Sequence, residues 1–263
     1  NMNKLIRFGY EIIPPDSGML ANGDSGDGRM PDEKVLLQYI LKEIACKKDL
    51  AGKKILVTAG ATRESIDPVR FITNHSSGKM GCAIANAAML RGAEVTLVHG
   101  HLETEAPMFV KRIPVTSAAE MFEAVTSISG EQDIIVKAAA VADYTPVTIA
   151  DNKIKKTEGD MSIPLKRTRD ILSFLGEHKK AGQLICGFSM ETENLLANSQ
   201  KKLISKNCDM ICANSLEVSG SGFGTDTNIV TIITEKLVEE LPMMDKEEAA
   251  HIILDKLLEL LTD

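Results

Sequence analysis

The stretch KILVTAGATRESIDPVRFITNHSSGKMGC, residues 54–82, decides the fold of this chain. Its apolar residues 55–57 are typical of a buried strand, and the small residues at 58–61 suit a backbone that turns sharply beside a ligand. From Ser77 onward, apolar residues recur at helical spacing and predict a helix. A polar loop of this length between a strand and a helix is usually functional, so we expect a ligand site here.

The chain beyond this stretch alternates strands with helices. The predicted strands cover residues 94–98, 109–115, 133–136, 183–188, 208–212 and 229–234, and helical patterns lie between most of them. This alternation predicts an α/β fold: a Rossmann-like, mostly parallel sheet with helices on both faces. In such sheets ligands bind at the carboxyl ends of the strands, where Gly60 and Asp143 fall.

Residues 1–48 are interpreted as a separate segment, and residues 49–263 as the main domain. Residues 10–13 are consistent with an edge strand stopped by two prolines, and residues 16–32 are rich in Gly and Asp, which favours turns. A helix is predicted from Asp32, acting as its N-cap, to about Lys47. Side-chain caps are also predicted for later helices at Ser117 and Asp245.

The composition excludes several classes of protein. A net charge of −7, the lack of a Lys/Arg tract, and 4% aromatic residues without Trp argue against nucleic acid as the main partner. No apolar run approaches the length of a membrane span and nothing at the start resembles a signal peptide, so we expect a soluble, cytoplasmic protein without a membrane partner. The five cysteines are odd in number and lie in apolar or helical surroundings, which favours reduced thiols.

The opening loop carries several candidate ligand contacts. It matches neither the G-x-G-x-x-G fingerprint nor the P-loop pattern, so what remains is a helix N-terminus near Lys79, which suits an anion or is merely a solvated cap. In the same loop, the primary amide of Asn74 can hold a carboxylate or a carbonyl. Arg70 can reach an anion or pair internally with Glu64 or Asp67.

Lysines cluster near the later strand ends. The stretch KIKK at 153–156 interrupts the alternation, and it is either a solvated charge run or a flap that closes over phosphates. Lys202 and Lys206 lie four residues apart on one predicted helix and should point the same way. Five lysines facing one site in an acidic chain suggest a triphosphate, beside which Asp143 can contact a ribose hydroxyl or a metal-bound water.

Five motifs together carry a resemblance to a known family. They are TAGATRExxDPVR at 58–70, NHSSGKMG at 74–81, AAVADY at 139–144, KIKK at 153–156 and FxxDxN at 223–228. From about residue 53 to its end, the sequence resembles the phosphopantothenoylcysteine synthetases, the CTP-dependent ligases of bacterial coenzyme A biosynthesis.

The resemblance implies a two-step reaction. The carboxylate of 4′-phosphopantothenate attacks the α-phosphate of CTP and expels pyrophosphate, and the amine of L-cysteine then displaces CMP from the acyl-cytidylate. By position, Asn74 matches the residue that holds the carboxyl group and the acyl intermediate, Arg70 an adjacent residue, and Lys153 a phosphate-contacting lysine. The implied nucleotide-binding set is Lys137, Ala138, Ala139, Asp143, Lys153, Arg169, Asp170, Ile171, Leu172, Phe188, Lys202 and Lys206.

The resemblance also implies Mg²⁺ on the triphosphate, held mostly by phosphate oxygens and water, without protein ligands that we can name. It further implies a homodimer, or a larger assembly when fused to a full decarboxylase domain. Lys137 stands where an apolar residue is expected, and it either contacts a phosphate or uses its backbone. At 169–172 the chain reads RDIL where Pro-Asp-Ile is common, so Asp170 and Ile171 match best.

Residues 1–48 resemble the closing segment of a flavin-dependent phosphopantothenoylcysteine decarboxylase, followed by a linker helix. The stretch LANGDSGDGRM at 20–30 follows the substrate-clamp pattern of that family, with Asn22 in place of the proton-donating cysteine. Because an amide has no proton to give at a useful pKa, we expect no decarboxylation from this chain. We expect FMN only in the decarboxylase part that this chain lacks.

Two other functions fit the same sheet less well. One is a non-catalytic nucleotide-binding or scaffold protein, and the other is a nicotinamide oxidoreductase. Release of pyrophosphate that requires both phosphopantothenate and CTP, and that cysteine increases, separates the ligase from both.

Overall fold

The structure of this chain is a computed structural model that describes residues 1–19, 23–156, 158–191, 194–215 and 224–262. It divides into two compact units, Asn1–Lys48 and Asp49–Asp263. Asn22 and Phe223, which the sequence motifs single out, lie outside the described residues.

The first unit contains two helices and a hairpin. Helix α1 covers Met2–Arg7, strand β1 Asp16–Met19 pairs antiparallel with strand β2 Ser25–Arg29, and helix α2 covers Glu33–Ile44. The Asp32 side chain accepts a hydrogen bond from Lys34 N at 2.9 Å, which confirms the predicted cap. The strand predicted at 10–13 and the turns predicted at 16–32 are wrong. The strands form at 16–19 and 25–29, because pairing uses main-chain groups that Gly and Asp also carry.

The second unit alternates strands and helices as predicted. Its elements are β3 Lys54–Ala59, β4 Arg63–Ser65, β5 Phe71–Thr73, α3 Lys79–Leu90, β6 Glu94–His99, β7 Lys111–Pro114, α4 Ala118–Ile128, β8 Ile134–Lys137, β9 Tyr144–Pro146, β10 Leu165–Arg167, α5 Ile171–Glu177, β11 Leu184–Glu191, α6 Leu195–Ser205, β12 Met210–Ser215, β13 Thr227–Asn228, β14 Val230–Ile233, β15 Val238–Glu240, β16 Met244–Asp245 and α7 Lys246–Thr262. A short 3₁₀ turn, Ser129–Glu131, follows α4.

Eight of these strands form one sheet in the order β15-β14-β12-β11-β8-β3-β6-β7. The six strands from β12 to β7 are parallel, and β14 and β15 are antiparallel additions at one edge. The predicted mostly parallel α/β fold is therefore confirmed. From β3 the chain runs to β6 and β7 and then returns to β8 on the other side of β3. Ligands of open α/β sheets bind at such a reversal of strand order.

Helices cover both faces of the sheet. Because successive residues of a strand point to opposite faces, Val57 packs with α3 and α7, whereas its neighbour Leu56 packs with α4, α5 and α6. The predicted caps are confirmed, since Ser117 Oγ accepts from Glu120 N at 3.2 Å and Asp245 Oδ1 accepts from Glu248 N at 2.7 Å. Within the described ranges, no helix has both the length and the apolar character needed to span a membrane.

Three small antiparallel pairs were not predicted: β4 with β5, β9 with β10, and β13 with β16. Their strands are two or three residues long, which is too short for an alternating pattern to stand out. The first pair lies inside the opening loop, and the second joins the two ends of the segment that interrupts the alternation. Each pair thus connects two parts of its own loop through main-chain hydrogen bonds.

Candidate functional site

Two adjoining cavities open at the carboxyl ends of the central strands. Cavity A, of about 340 Å³, is lined by Asn74, residues 76–81 and 137–141, Asp143, residues 188–190, Lys202, Asn214, Asn228 and Lys246. Cavity B, of about 360 Å³, is lined by Lys137, Val141, residues 143–144, residues 167–172 and Lys202. The two share Lys137, Val141, Asp143 and Lys202, so they form a single cleft.

The floor of the cleft is main chain from residues 138–141. Ala140 N donates to Gly60 O at 2.9 Å, and Thr62 N donates to Ala140 O at 3.2 Å. Two fully buried hydroxyls complete the attachment, since Thr58 Oγ1 accepts from Ala139 N at 3.1 Å and Thr62 Oγ1 accepts from Ala142 N at 3.0 Å. Small side chains on a fixed backbone leave a flat surface, which suits the face of a nucleobase.

One wall of the cleft carries two lysines close to each other. Lys137 ends β8, and Lys202 lies on α6, where its Nζ donates to Phe188 O at 2.9 Å. Burial, and next the charge of Lys202, lower the pKa of Lys137 to about 8. An anionic ligand between the two cations would remove their mutual repulsion, so this wall suits phosphate groups.

Residues 169–172 line cavity B next to this wall. The Asp170 side chain accepts from Ser173 N at 2.9 Å and pairs with Lys206 at 3.0 Å. Burial works to raise the pKa of Asp170, but the Ser173 N–H and Lys206 together bring it below its ordinary value. Arg169 lies over the Phe122 ring, 3.9 Å from its centroid, and pairs with Glu123.

Lys206 is therefore committed to Asp170 and does not line either cavity of the cleft. We predicted that Lys202 and Lys206 point into one site. Of the two, only Lys202 lines the cleft. Ile171 and Leu172 are buried in the core beneath cavity B, where they support its wall.

The opening loop also lines cavity A, through Asn74 and residues 76–81. Asn74 Nδ2 donates to Ala140 O at 3.1 Å, which ties its amide directly to the floor. Gly78, the N-cap of α3, has φ of 79°, and a Cβ there would lie 2.3 Å from Leu102 Cδ2 and 3.1 Å from Gly60 N. Only glycine fits this turn, which brings the start of α3 to the edge of the cleft.

Arg70 and Lys153 lie outside the cleft. Both line a separate cavity C of about 550 Å³, together with residues 154–156, Gly159 and Met161. Arg70 Nη2 pairs with Asp67 at 2.5 Å and also donates to Ile154 O at 3.0 Å. Asp67 is thus the internal partner that the sequence left open, and its hydrogen bond from Arg70 holds the pKa of that carboxyl well below its usual range.

Glu64, the other internal partner considered for Arg70, instead accepts from Ala118 N at 2.8 Å. The lysine-rich segment is attached to the Asp67 loop through main-chain groups, since Ile154 N donates to Asp67 Oδ2 at 3.1 Å and Ala150 N to Ile66 O at 3.0 Å. Lys153 is consequently placed by the loop that holds Arg70.

Asn214, Asn228 and Lys246 are among the polar residues of cavity A that the sequence reasoning missed. The predicted strand ended at Cys212, whereas β12 continues to Ser215 and carries Asn214 near its carboxyl end. Because ligands bind at the carboxyl ends of such strands, a longer predicted strand would have indicated Asn214. Lys246 is the first residue of α7, a position where the helix dipole disfavours a cation, and such a lysine signals another role. Asn228 carries no comparable signal outside its motif.

Residues 50–261 match the DNA/pantothenate metabolism flavoprotein C-terminal domain. The chain belongs to this family. It is 46% identical, over 261 residues that cover 98% of its length, to the coenzyme A biosynthesis bifunctional protein CoaBC of Bacillus subtilis (strain 168). It spans 64% of the length of that relative.

A second relative, from an unknown prokaryotic organism, is a cysteine/cysteine sulfinic acid decarboxylase that is 45% identical over 266 residues, covering 99% of this chain and 74% of the relative. Among solved structures, the crystal structure of the C-terminal domain of a coenzyme A biosynthesis bifunctional protein CoaBC matches with a TM-score of 0.70 and 46% identity, covering 81% of this chain and 98% of that chain. The fold that surrounds the cleft is therefore the fold of this family.

Proposed function

We propose that this chain is a CTP-dependent phosphopantothenate–cysteine ligase of coenzyme A biosynthesis. The observation that carries the proposal is the arrangement of the cleft, in which two lysines and a flat main-chain floor face the amide of Asn74. The five sequence motifs and the relatives named CoaBC support the same activity. The proposal includes a homodimer in the cytoplasm.

In the first step, a carboxylate oxygen of 4′-phosphopantothenate attacks the α-phosphorus of CTP. The bond from that phosphorus to the bridging oxygen breaks, and pyrophosphate leaves with the bonding electrons. Both reactants are anions, so their approach needs cations held where little water screens them. Lys137 and Lys202, both half-buried in the wall of the cleft, supply that charge.

Asn74 positions the acid in this scheme. Because one hydrogen of its amide already goes to Ala140 O, the amide group is oriented relative to the floor on which the nucleotide would lie. Its other polar groups remain able to hold the substrate carboxyl and, after the first step, the acyl group. The nucleotide set at residues 137–139, Asp143, residues 169–172 and Phe188 borders the same cleft.

In the second step, the cysteine amine attacks the acyl carbon of the acyl-cytidylate. The bond from that carbon to the phosphate oxygen breaks, CMP leaves with the bonding electrons, and one amine proton passes to solvent. The chain's part is to hold the amine and the acyl carbon at reacting distance and to limit the access of water.

Magnesium fits this site as a companion of the nucleotide. Within the described ranges, no group of three or more His, Cys, Asp or Glu side chains could hold a metal ion. The carboxylates that line the cleft are Asp143 and the already paired Asp170. This donor set would suit Mg²⁺ held mainly by phosphate oxygens and water, and Asp143 would be the carboxylate available to a metal-bound water. When bound, the ion offsets triphosphate charge.

Lys153 and Arg70 remain proposed site residues that lie in cavity C. We propose residues 153–156 as a flap that closes over the phosphates, and Ile154 within it is hydrogen-bonded to both Asp67 and Arg70, so the flap and the Asp67 loop would move together. Lys153→Gln should then lower turnover at saturating substrates. Unchanged kinetics in that variant would show that residues 153–156 are only a solvated run of charges.

The proposal is tested by pyrophosphate release from the purified chain. Release should require phosphopantothenate and CTP together, and cysteine should increase it. Binding of CTP without release of pyrophosphate in the presence of the acid would favour a non-catalytic nucleotide-binding protein, and hydride transfer to a nicotinamide would favour an oxidoreductase. Carbon dioxide release from cysteine would favour the activity named for the second relative.

Asn74→Asp separates the acid side from the nucleotide side. The change keeps the size of the side chain, but it places a carboxylate against Ala140 O, where the amide now donates. We expect use of the acyl intermediate to fall much more than CTP binding. An equal loss of both would show that the loop has only a structural role.

A further inference from the structure

Thr73 is a hydroxyl-bearing residue that lines neither cavity of the cleft but directly precedes Asn74. It is the last residue of β5, so Asn74 is the first residue beyond that strand. The Thr73 Oγ1 atom donates to Thr62 O at 2.8 Å, next to the hairpin that β5 forms with β4. Although Thr73 is exposed, its hydroxyl therefore reaches back to the main chain that leads into β4.

Thr62, the acceptor of this bond, also holds the floor of the cleft. It is fully buried, its N donates to Ala140 O at 3.2 Å, and its Oγ1 accepts from Ala142 N at 3.0 Å. Its carbonyl oxygen is the atom that accepts from Thr73. The end of β5 is thus attached to a residue that cannot shift without disturbing the floor.

The contacts of Thr73, Thr62, Ala140 and Asn74 close into a ring. Ala140 O accepts from both Thr62 N and Asn74 Nδ2, at 3.2 and 3.1 Å. The peptide bond between Asn74 and Thr73 completes the ring, because Thr73 Oγ1 returns to Thr62 O. Asn74 is therefore held at two points: Ala140 O holds its amide, and the hydroxyl of the preceding residue holds its main chain.

The two points have different effects on the Asn74 amide. The bond to Ala140 O uses one amide hydrogen, which leaves one N–H and Oδ1 for a ligand. A single hydrogen bond does not fix the amide plane, because the group can still turn about the donor–acceptor line. The position of the Asn74 main chain removes that freedom. Thr73 anchors the strand end from which this main chain continues, so its hydroxyl contributes to the direction of the remaining amide groups.

We propose that Thr73 is a positioning residue for the acid substrate and acts through the amide of Asn74. The proposal rests on the proposed ligase function. In the first step the Thr73 hydroxyl keeps the remaining N–H of Asn74 directed at the carboxylate of phosphopantothenate, and in the second step at the acyl group. Without that hydroxyl, Thr62 still has both of its bonds to the floor, so the nucleotide side should be little affected.

The first test replaces the Thr73 hydroxyl by a methyl group of nearly the same size. The net contribution of one neutral hydrogen bond corresponds to about fivefold in an equilibrium constant, so Thr73→Val should lower kcat/KM for phosphopantothenate about fivefold in pyrophosphate release. KM for CTP should change less than about twofold, because the contacts of the floor are retained. Thr73→Ser keeps the hydroxyl and should restore most of the loss.

The second test asks whether the effect passes through Asn74. Binding of phosphopantothenate is measured by calorimetry with Mg²⁺ and the α,β-methylene analogue of CTP, which cannot release pyrophosphate. Thr73→Val should weaken this binding about fivefold in the wild-type background but less than about twofold in Asn74→Ala, where the amide that Thr73 orients is absent. If Asn74→Ala binds the acid too weakly to measure, the first test decides alone.

Thr126→Val is the matched control for the lost hydrogen bond. Thr126 Oγ1 also donates to a main-chain carbonyl, Phe122 O at 2.9 Å, but it lies within α4 and does not line the cleft. Both valine variants should lose a similar, small amount of stability in urea titrations, whereas only Thr73→Val should change use of the acid. Thr73→Ala replaces Thr73→Val if the titrations show that the valine variant does not fold.

Three results would overturn the proposal. They are unchanged kcat/KM for phosphopantothenate in Thr73→Val, a rise in KM for CTP as large as the loss for the acid, and an equal effect of Thr73→Val on acid binding with and without the Asn74 amide. A wild-type chain that releases no pyrophosphate would instead overturn the ligase function itself, so the two failures are distinguishable.

Discussion

Gly81→Ala tests how closely α3 must pack on the central strand for the cleft to form. A Cβ at position 81 would lie 2.6 Å from Ala59 Cβ, 2.8 Å from Thr58 O and 3.0 Å from Ala59 Cα. All three atoms belong to β3 and none ends a flexible side chain, so α3 must retreat by several tenths of an ångström. Overpacking of this kind costs about 3 kcal/mol at the upper end. Replacing glycine by alanine inside a helix returns about 1 kcal/mol.

We therefore expect the free energy of unfolding to fall by about 2 kcal/mol in urea titrations at neutral pH. The start of α3 lies close to Gly60, since a Cβ at Gly78 would be 3.1 Å from Gly60 N, and Gly60 O accepts the hydrogen bond that holds Ala140 of the floor. The same retreat therefore moves the start of α3 away from the floor, so pyrophosphate release should fall as well. Gly130→Ala is the matched control, because the added Cβ would meet only the end of the flexible Lys180 side chain, with Nζ at 3.0 Å and Cε at 3.2 Å. A stability gain in Gly81→Ala, or a change no larger than in the control, would refute the reasoning.

Three further predictions concern charge and hydrogen bonding. The pKa of Lys137 is about 8 in the folded chain, below its ordinary 10.5, so the folded chain loses this proton at a lower pH than the unfolded chain. The free energy of unfolding should therefore rise between about pH 8 and 10.5, and Lys137→Met should remove that rise in urea titrations. Arg91→Met should lower the free energy of unfolding by about 2–3 kcal/mol, because the Arg91 side chain is only 6% exposed and pairs with Asp49 and Asp255. The two carboxylates are partly exposed, which reduces the loss, and Arg91→Lys should cost less. Thr62→Val should raise KM for CTP by removing an acceptor beneath the floor, and Thr62→Ser should restore it; equal values in both variants would contradict this role.

The parts of the fold that depend on local sequence were predicted well. The caps at Asp32, Ser117 and Asp245 involve hydrogen bonds to residues at most three positions away, so the sequence contains both partners within one turn. The long strands were recognisable because they are buried on both faces and read as continuous apolar runs. The strand predicted at 10–13 does not form, because a short apolar run does not show whether another strand is available to pair with it.

The candidate site was predicted less completely, because charge pairing is decided by tertiary placement. Spacing predicted Lys202 and Lys206 on one helix, but α6 ends at Ser205 and Lys206 is its C-cap. Only the folded chain shows that Asp170 lies close enough to pair with Lys206. The same holds for Arg70, whose partner Asp67 could not be separated from Glu64 in sequence.

The main-chain floor of the cleft has a consequence for engineering the specificity of this fold. Residues 138–140 are alanines, so almost any substitution there adds bulk and narrows the space above the floor. Substituting these alanines cannot deepen the floor, because the position of its main chain is fixed by hydrogen bonds to Gly60, Thr58 and Thr62. Variants that accept a larger base must therefore come from the rim, and a library that randomises Phe188 should yield more of them than one that randomises the alanines.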